Sequence, residues 1–141
     1  MNKTTVDDCT LLNLPKISDN RGNLTFIEKG ICPFEIKRIY YLYDIPAESI
    51  RGGHAHKSLN QIIIPLSGSF NIELDDGDNK KNIHLYRPYQ GLFLCSMIWR
   101  EINYFSSGAV CLVLASDIYN ENDYYRSYSE FIESKNKIES C

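Results

Sequence analysis

An all-β sandwich or barrel is the fold class this sequence predicts, and three observations predict it. Short strand-like runs recur at roughly regular spacing, about eight of them, with turn chemistry between them. Several runs alternate polar and bulky residues, the period-two signature of a strand with one buried face. Only the last stretch has helical spacing, which argues against the alternating strand and helix units of a parallel sheet. At 141 residues, 43% of them hydrophobic and 23% charged, the chain can bury a core and fits one domain. No repeat or linker divides it, so residues 1–141 read as a single domain.

The elements follow in order. Asn23 to Glu28 is a strand after the turn-like Asp19-Asn-Arg-Gly22. Glu35 to Tyr43 alternates polar and bulky side chains before Asp44-Ile-Pro46, with Arg38 and Tyr40 on one face and Tyr41 and Tyr43 on the other. Gln61 to Leu66 is an apolar strand ended by Ser67-Gly68, and Ser69 to Leu74 alternates again up to the hairpin signal Asp75-Asp-Gly77. Further strands are Lys81 to Tyr86, Gly91 to Cys95, Trp99 to Phe105 and Ala109 to Ser116. Residues 124–138 form a C-terminal helix, with Tyr128, Phe131, Ile132 and Lys135 at helical spacing and one side packed on the barrel or on a partner.

Several function classes are excluded. The formal net charge of -3 lacks the basic balance of a nucleic-acid binder. No window approaches the ~18 apolar residues a membrane span needs, and the N-terminus has no apolar core of signal-peptide length, so a soluble cytoplasmic protein is expected. Five cysteines, odd in number and without any Cys-x-x-Cys, suggest neither a disulfide framework nor a zinc knuckle and read as reduced and structural.

The chemistry lies in Arg51-Gly-Gly-His-Ala-His-Lys-Ser-Leu-Asn-Gln61. Side chains at i and i+2 of a strand share a face, so His54 and His56 converge on one spot. That spot is either a metal site or a proton-transfer site. The spacing from the pair to Gln61 and on to Gly68 matches the first motif of cupin barrels, in which two histidines and a glutamate hold a metal. Here the carboxylate has become the amide of Gln61. In Cys95-Ser-Met-Ile-Trp-Arg-Glu101, Arg100 takes the place of the second motif's histidine and should face the interior. A guanidinium cannot ligate a cation, and two imidazoles alone make a poor divalent site, so no metal is expected. His84, on an alternating strand far from the motif, reads as a surface residue.

The segments Ile36-Lys-Arg-Ile-Tyr-Tyr41, Arg51-Gly-Gly-His-Ala-His56, Leu74-Asp-Asp-Gly77, Ile98-Trp-Arg-Glu101, Leu114-Ala-Ser-Asp117 and Asp123-Tyr-Tyr-Arg126 resemble, in the same order, those of the sugar 3,4-ketoisomerases. The resemblance runs from about Ile17 to Tyr128. It implies a cupin (double-stranded β-helix or jelly-roll) barrel that acts on dTDP-4-keto-6-deoxy-glucose. It also implies a carbonyl moved from C4 to C3 through an enediol, with neither metal nor nicotinamide cofactor. Imidazole suits such proton transfers because its pKa lies near working pH. His54 and His56 are therefore the catalytic candidates, and the sequence does not decide which is the base.

Arg21, Arg38, Arg51 and Arg100 lie in or beside the resembling segments, where guanidinium groups match a nucleotide diphosphate. Singly, Arg21, Arg38 and Arg51 are equally readable as solvated or salt-bridged. Whichever tyrosine of the Tyr40 strand faces inward is placed to donate to the enediolate, and Gln61 either bonds to the backbone or orients His56. Arg100 favours the gluco product over the galacto one in this family, whose product feeds 3-amino-3,6-dideoxyhexose synthesis for surface polysaccharide. Relatives are homodimers that exchange N-terminal strands, so residues 1–22 would belong partly to the neighbour. A dTDP-sugar-binding cupin without catalysis and a metal-dependent cupin enzyme are the alternatives.

Overall fold

A computed structural model describes residues 3–138. The strands are β1 (Thr10–Asn13), β2 (Lys16–Asp19), β3 (Gly22–Thr25), β4 (Arg38–Leu42), β5 (Arg51–His56), β6 (Gln61–Ser67), β7 (Phe70–Asp75), β8 (Lys80–Leu85), β9 (Gln90–Leu94), β10 (Trp99–Asn103), β11 (Val110–Ala115) and β12 (Tyr124–Tyr125), followed by α1 (Tyr128–Asn136). One antiparallel sheet has the order β1-β9-β6-β11-β4 and the other β12-β5-β10-β7-β8, while β2 and β3 form a separate hairpin. This is the all-β architecture expected. No described helix is long and apolar enough to cross a membrane.

The core forms where alternate residues of the two sheets meet. Phe70, Ile72 and Leu74 of β7 and Ile83 and Leu85 of β8 pack against Ile63, Leu92, Leu94, Cys111 and Val113 of the other sheet. Each such side chain contributes roughly 1.5 to 3 kcal/mol by leaving water. The unbroken Ile62-Ile-Ile64 run of β6 has a different cause, because both of its faces are covered. Ile63 enters the core, whereas Ile62 and Ile64 lie with Leu14 and Leu114 against Ile27, Ile31, Phe34 and Ile36.

The structure corrects the expected helix. Tyr124 and Tyr125 pair with His56 and Ala55 as strand β12, and helix α1 starts only at Tyr128, capped by Ser127, whose hydroxyl accepts from the Glu130 N–H. Aromatic residues fit a pleated strand well, and a true N-cap three residues later sets the helix start. Strands β1 and β2 were not anticipated: each has four residues, and Pro15 lies between them. The strand expected over 23–28 ends at Thr25, and the one expected to reach Phe105 ends at Asn103, where Tyr104 turns to a φ of 54°.

A bulge aims the strand that carries His54 and His56. Along β10, Arg100 faces His54 and Glu101 faces Gly52, so Gly53 is the extra residue. Gly52 has a φ of +88°, and a Cβ there would sit 2.9 Å from the Arg100 carbonyl oxygen. Gly52→Ala is therefore expected to cost about 1 to 3 kcal/mol of stability, read as an earlier midpoint in urea unfolding.

Candidate active site

Beyond the bulge the two-residue period resumes, and His54 and His56 both turn into the barrel. Their rings lie edge to face with centroids 4.9 Å apart. Tyr124, placed opposite His56 by the β12 pairing, covers both, its ring 4.9 Å from His54 and 4.3 Å from His56. Behind His56 stands Asp123, with Oδ2 3.3 Å from Nδ1. The same carboxylate accepts from the Ser58 N–H and hydroxyl and from the Leu59 N–H. Among the described residues, His54 Nδ1 and His56 Nε2 are buried without a hydrogen-bond partner.

Arg100 is 2% exposed and points inward, as the motif spacing required. Its Nη1 donates to Gln61 Oε1 at 2.7 Å, and its Nε and Nη2 donate to the Ile98 carbonyl. The Gln61 amide, fixed at its oxygen, donates from Nε2 to the Tyr40 hydroxyl at 3.2 Å. Gln61 thus bridges Arg100 and Tyr40 and makes no bond to His56. This leaves the Tyr40 O–H hydrogen free to donate elsewhere. The inward face of β4 is the one carrying Arg38 and Tyr40, while Ile39 and Tyr41 face out.

Two small cavities flank the imidazoles. His54 lines one of roughly 70 Å³ with Tyr40, Arg51, Gln61 and Arg100. His56 lines another of roughly 40 Å³ with Arg38, Tyr119, Asp123 and Tyr124. Arg38 lies over the rings of Tyr40 and Tyr119, and Arg126 over Tyr124 with its guanidinium on Glu121. A larger hollow of about 500 Å³ on the outer face of the second sheet is lined by Glu73, Lys81, Trp99 and Tyr128 and touches neither histidine.

Seven of the eight residues singled out in the sequence therefore meet: His54, His56, Arg38, Tyr40, Arg51, Gln61 and Arg100. Arg21 does not join them. It sits at the tip of the β2–β3 hairpin, its guanidinium on Asp19 2.7 Å away. His84 is exposed, as expected, and bonds to Asn71. Asp123 and Tyr124 also reach the site, although sequence reasoning names neither as a site residue: Asp123 figures only in the resembling segment Asp123-Tyr-Tyr-Arg126, and Tyr124 falls in the expected helix. Cys9, Cys32, Cys95 and Cys111 are free thiols, and Cys141 lies outside the described residues.

Among the described residues no three His, Cys, Asp or Glu side chains cluster as metal ligands do. The two positions that would complete a cupin metal shell, Gln61 and Arg100, bond to each other instead.

The electrostatics favour neutral imidazoles. Burial, then the Arg100 charge, pulls His54 down to about 4. Burial, Arg100 and His54 lower His56 as well. A consequence for stability follows from the sign. The unfolded chain binds protons at His54 from pH 6.5 downward while the folded chain does not until about 4, so stability is lost as pH falls through that window. About 2 to 3 kcal/mol is expected to disappear between pH 7 and pH 4 through His54, allowing for the part of the ring that solvent reaches. Urea unfolding of the protein and of His54→Asn at both pH values isolates that share.

Comparison with known proteins places this geometry. Residues 7–136 match the family model described as WxcM-like, C-terminal. A TDP-4-oxo-6-deoxy-alpha-D-glucose-3,4-oxoisomerase from Aneurinibacillus thermoaerophilus is 46% identical over 122 residues, 86% of this chain and 88% of that protein. A 3,4-ketoisomerase from Helicobacter canadensis is 51% identical with a TM-score of 0.89, over 92% of this chain and 98% of that one. The TDP-quinovose 3,4-ketoisomerase from Campylobacter jejuni is 49% identical with a TM-score of 0.86, over 89% and 98%. With its inward histidine pair at the sheet interface, the protein is an isomerase of the cupin class. More particularly, the chain belongs to the WxcM-like family.

Proposed function

We propose that the protein is a sugar 3,4-ketoisomerase that converts dTDP-4-keto-6-deoxy-D-glucose to a dTDP-3-keto-6-deoxyhexose by metal-free acid and base catalysis. The observation that carries this reading is the pair of imidazoles on one face, each with a buried, unpartnered ring nitrogen, beside a buried guanidinium. One imidazole takes the C3 proton, and the electron pair moves into an enediolate whose oxygens are stabilised by the Tyr40 hydroxyl and Arg100. Return of the abstracted proton to C4 and passage of the O3 proton to the C4 oxygen leave the carbonyl at C3 and a hydroxyl at C4. No atom is gained or lost, so no redox cofactor is required.

Arg38 and Arg51, at the two cavities, serve the diphosphate. The gluco product is favoured, with Arg100 and the similarity to a TDP-quinovose enzyme in support, since quinovose is 6-deoxyglucose. The 3-keto group is the substrate an aminotransferase needs, which fits synthesis of a 3-amino-3,6-dideoxyhexose for surface polysaccharide in the cytoplasm. A homodimer exchanging residues 1–22 would bring Arg21 to the neighbour's site. The β2–β3 hairpin supports this, because Ile17 and Leu24 stand 57% and 56% exposed on it.

Proton NMR of dTDP-4-keto-6-deoxy-glucose in D₂O tests the proposal. Loss of the C3 proton signal and growth of a 3-keto species are expected, and the coupling at C4 names the product. An unchanged spectrum from folded, dTDP-binding protein overturns the isomerase reading for this sugar and leaves a binding module.

A further inference from the structure

We infer that Asp123 is a positioning residue that holds His56 as the Nδ1–H tautomer, so that its lone pair lies on Nε2 inside the site. The inference rests on the isomerase reading for its consequence, but its geometry stands apart from it. An ionised carboxylate only accepts hydrogen bonds, so the proton between Asp123 Oδ2 and His56 Nδ1 belongs to the histidine. A neutral imidazole carries one N–H, which leaves Nε2 unprotonated. Nε2 is also the nitrogen with no partner among the described residues.

The carboxylate is itself fixed from several sides. Oδ1 accepts from the Ser58 N–H at 3.0 Å and from the Ser58 hydroxyl at 2.7 Å, and Oδ2 accepts from the Leu59 N–H at 3.2 Å. The Asp123 carbonyl accepts from the Lys57 N–H at 2.8 Å, and the next residue, Tyr124, pairs with His56 across β12 and β5. Asp123 therefore cannot swing away without breaking the loop after the catalytic strand.

Its charge has a second effect. The groups acting on His56 are otherwise unfavourable to a proton: burial, Arg100, His54, Arg126 and Arg38 all oppose the imidazolium. Tyr124, over the ring, carries no charge to offset them. Asp123 is the carboxylate in contact with the ring, so it stabilises the imidazolium formed when Nε2 accepts a proton. Among the described residues His54 has no such partner, and its Nδ1 is buried and unbonded. The two histidines, identical in sequence terms, thus differ in that only His56 has an acidic residue fixing its tautomer.

The test begins with the unmutated full chain at pH 7, uniformly labelled with ¹⁵N, and correlates the ring nitrogens and carbons of His56. A protonated Nδ1 and an unprotonated Nε2 are expected; a proton on Nε2 overturns the inference. This measurement needs no turnover, so it separates the inference from the failure of the isomerase reading. In Asp123→Asn, whose amide oxygen still accepts from Ser58, His56 is expected to lose its single tautomer. There kcat should fall about 10²-fold with KM for dTDP-4-keto-6-deoxy-glucose changed by no more than about twofold. A folded Asp123→Asn enzyme with unchanged kcat also overturns it. If that variant does not fold, the tautomer of the unmutated protein decides.

Discussion

His54→Asn and His56→Asn are each expected to lower conversion of dTDP-4-keto-6-deoxy-glucose by about 10²- to 10⁴-fold, the contribution of a well-placed acid or base. Asparagine fills much of the imidazole's space and keeps a polar amide, but it has no nitrogen that takes up a proton near neutral pH. Both rings are neutral in the resting site, so either can accept a proton without first losing one. Neither variant should unfold the barrel. His54 and His56 each have a ring nitrogen with no hydrogen-bond partner, so replacement forfeits few native bonds. The double variant should be little worse than the more damaged single one, because residues that serve one reaction sequence do not add. The measurement is the rate of C3 deuteration and of 3-keto product formation by NMR, alongside thermal unfolding. A folded single variant working at the rate of the unmodified protein would exclude that histidine from the chemistry.

Much of this arrangement was legible in the sequence, for reasons that can be located. β7 reads clearly because Phe70, Ile72 and Leu74 alternate with residues of the outer face. The histidine pair survives translation into structure because the bulge at Gly53 precedes His54 and leaves the parity of 54 and 56 intact. The inward direction of Arg100 followed from motif spacing. The inward face of β4 did not, since alternation says that Arg38 and Tyr40 agree but not which way they point. β1, β2 and β12 span four, four and two residues, too few for a period to show. Asp123 stands in a resembling segment, but its contact with His56 was not legible: the two lie 67 residues apart, and no local pattern announces a contact that depends on β12 pairing with β5. Gln61 was assigned to the backbone or to His56, whereas the buried guanidinium claims its oxygen and Tyr40 its amide.

Arg100→Met is expected to reduce isomerisation by about 10²- to 10³-fold while leaving stability nearly unchanged, within about 2 kcal/mol. The reasoning starts from its neighbours. Arg100 is fully buried, yet its hydrogen bonds go to the neutral oxygens of Gln61 and Ile98, and among the described residues it forms no salt bridge. Taking such a cation out of water costs several kcal/mol, which neutral acceptors only partly return. Burial accordingly brings its pKa down to about 10, leaving it charged at neutral pH. Methionine removes that desolvation cost but leaves Gln61 Oε1 unpaired, a penalty of about 1 to 3 kcal/mol, so the two changes largely offset. Catalysis has no such compensation. A guanidinium held in a dry site without a counter-charge stabilises negative charge most strongly when that charge develops, as on an enediolate oxygen. Removing it should also let His54 and His56 rise toward their ordinary values, since Arg100 is the largest charge effect on both. Steady-state kinetics and urea unfolding of Arg100→Met test both halves. Unimpaired turnover in the folded variant would show that the buried charge does not serve the reaction, and a collapse of stability would show that Gln61 and Ile98 compensate Arg100 far better than neutral acceptors should.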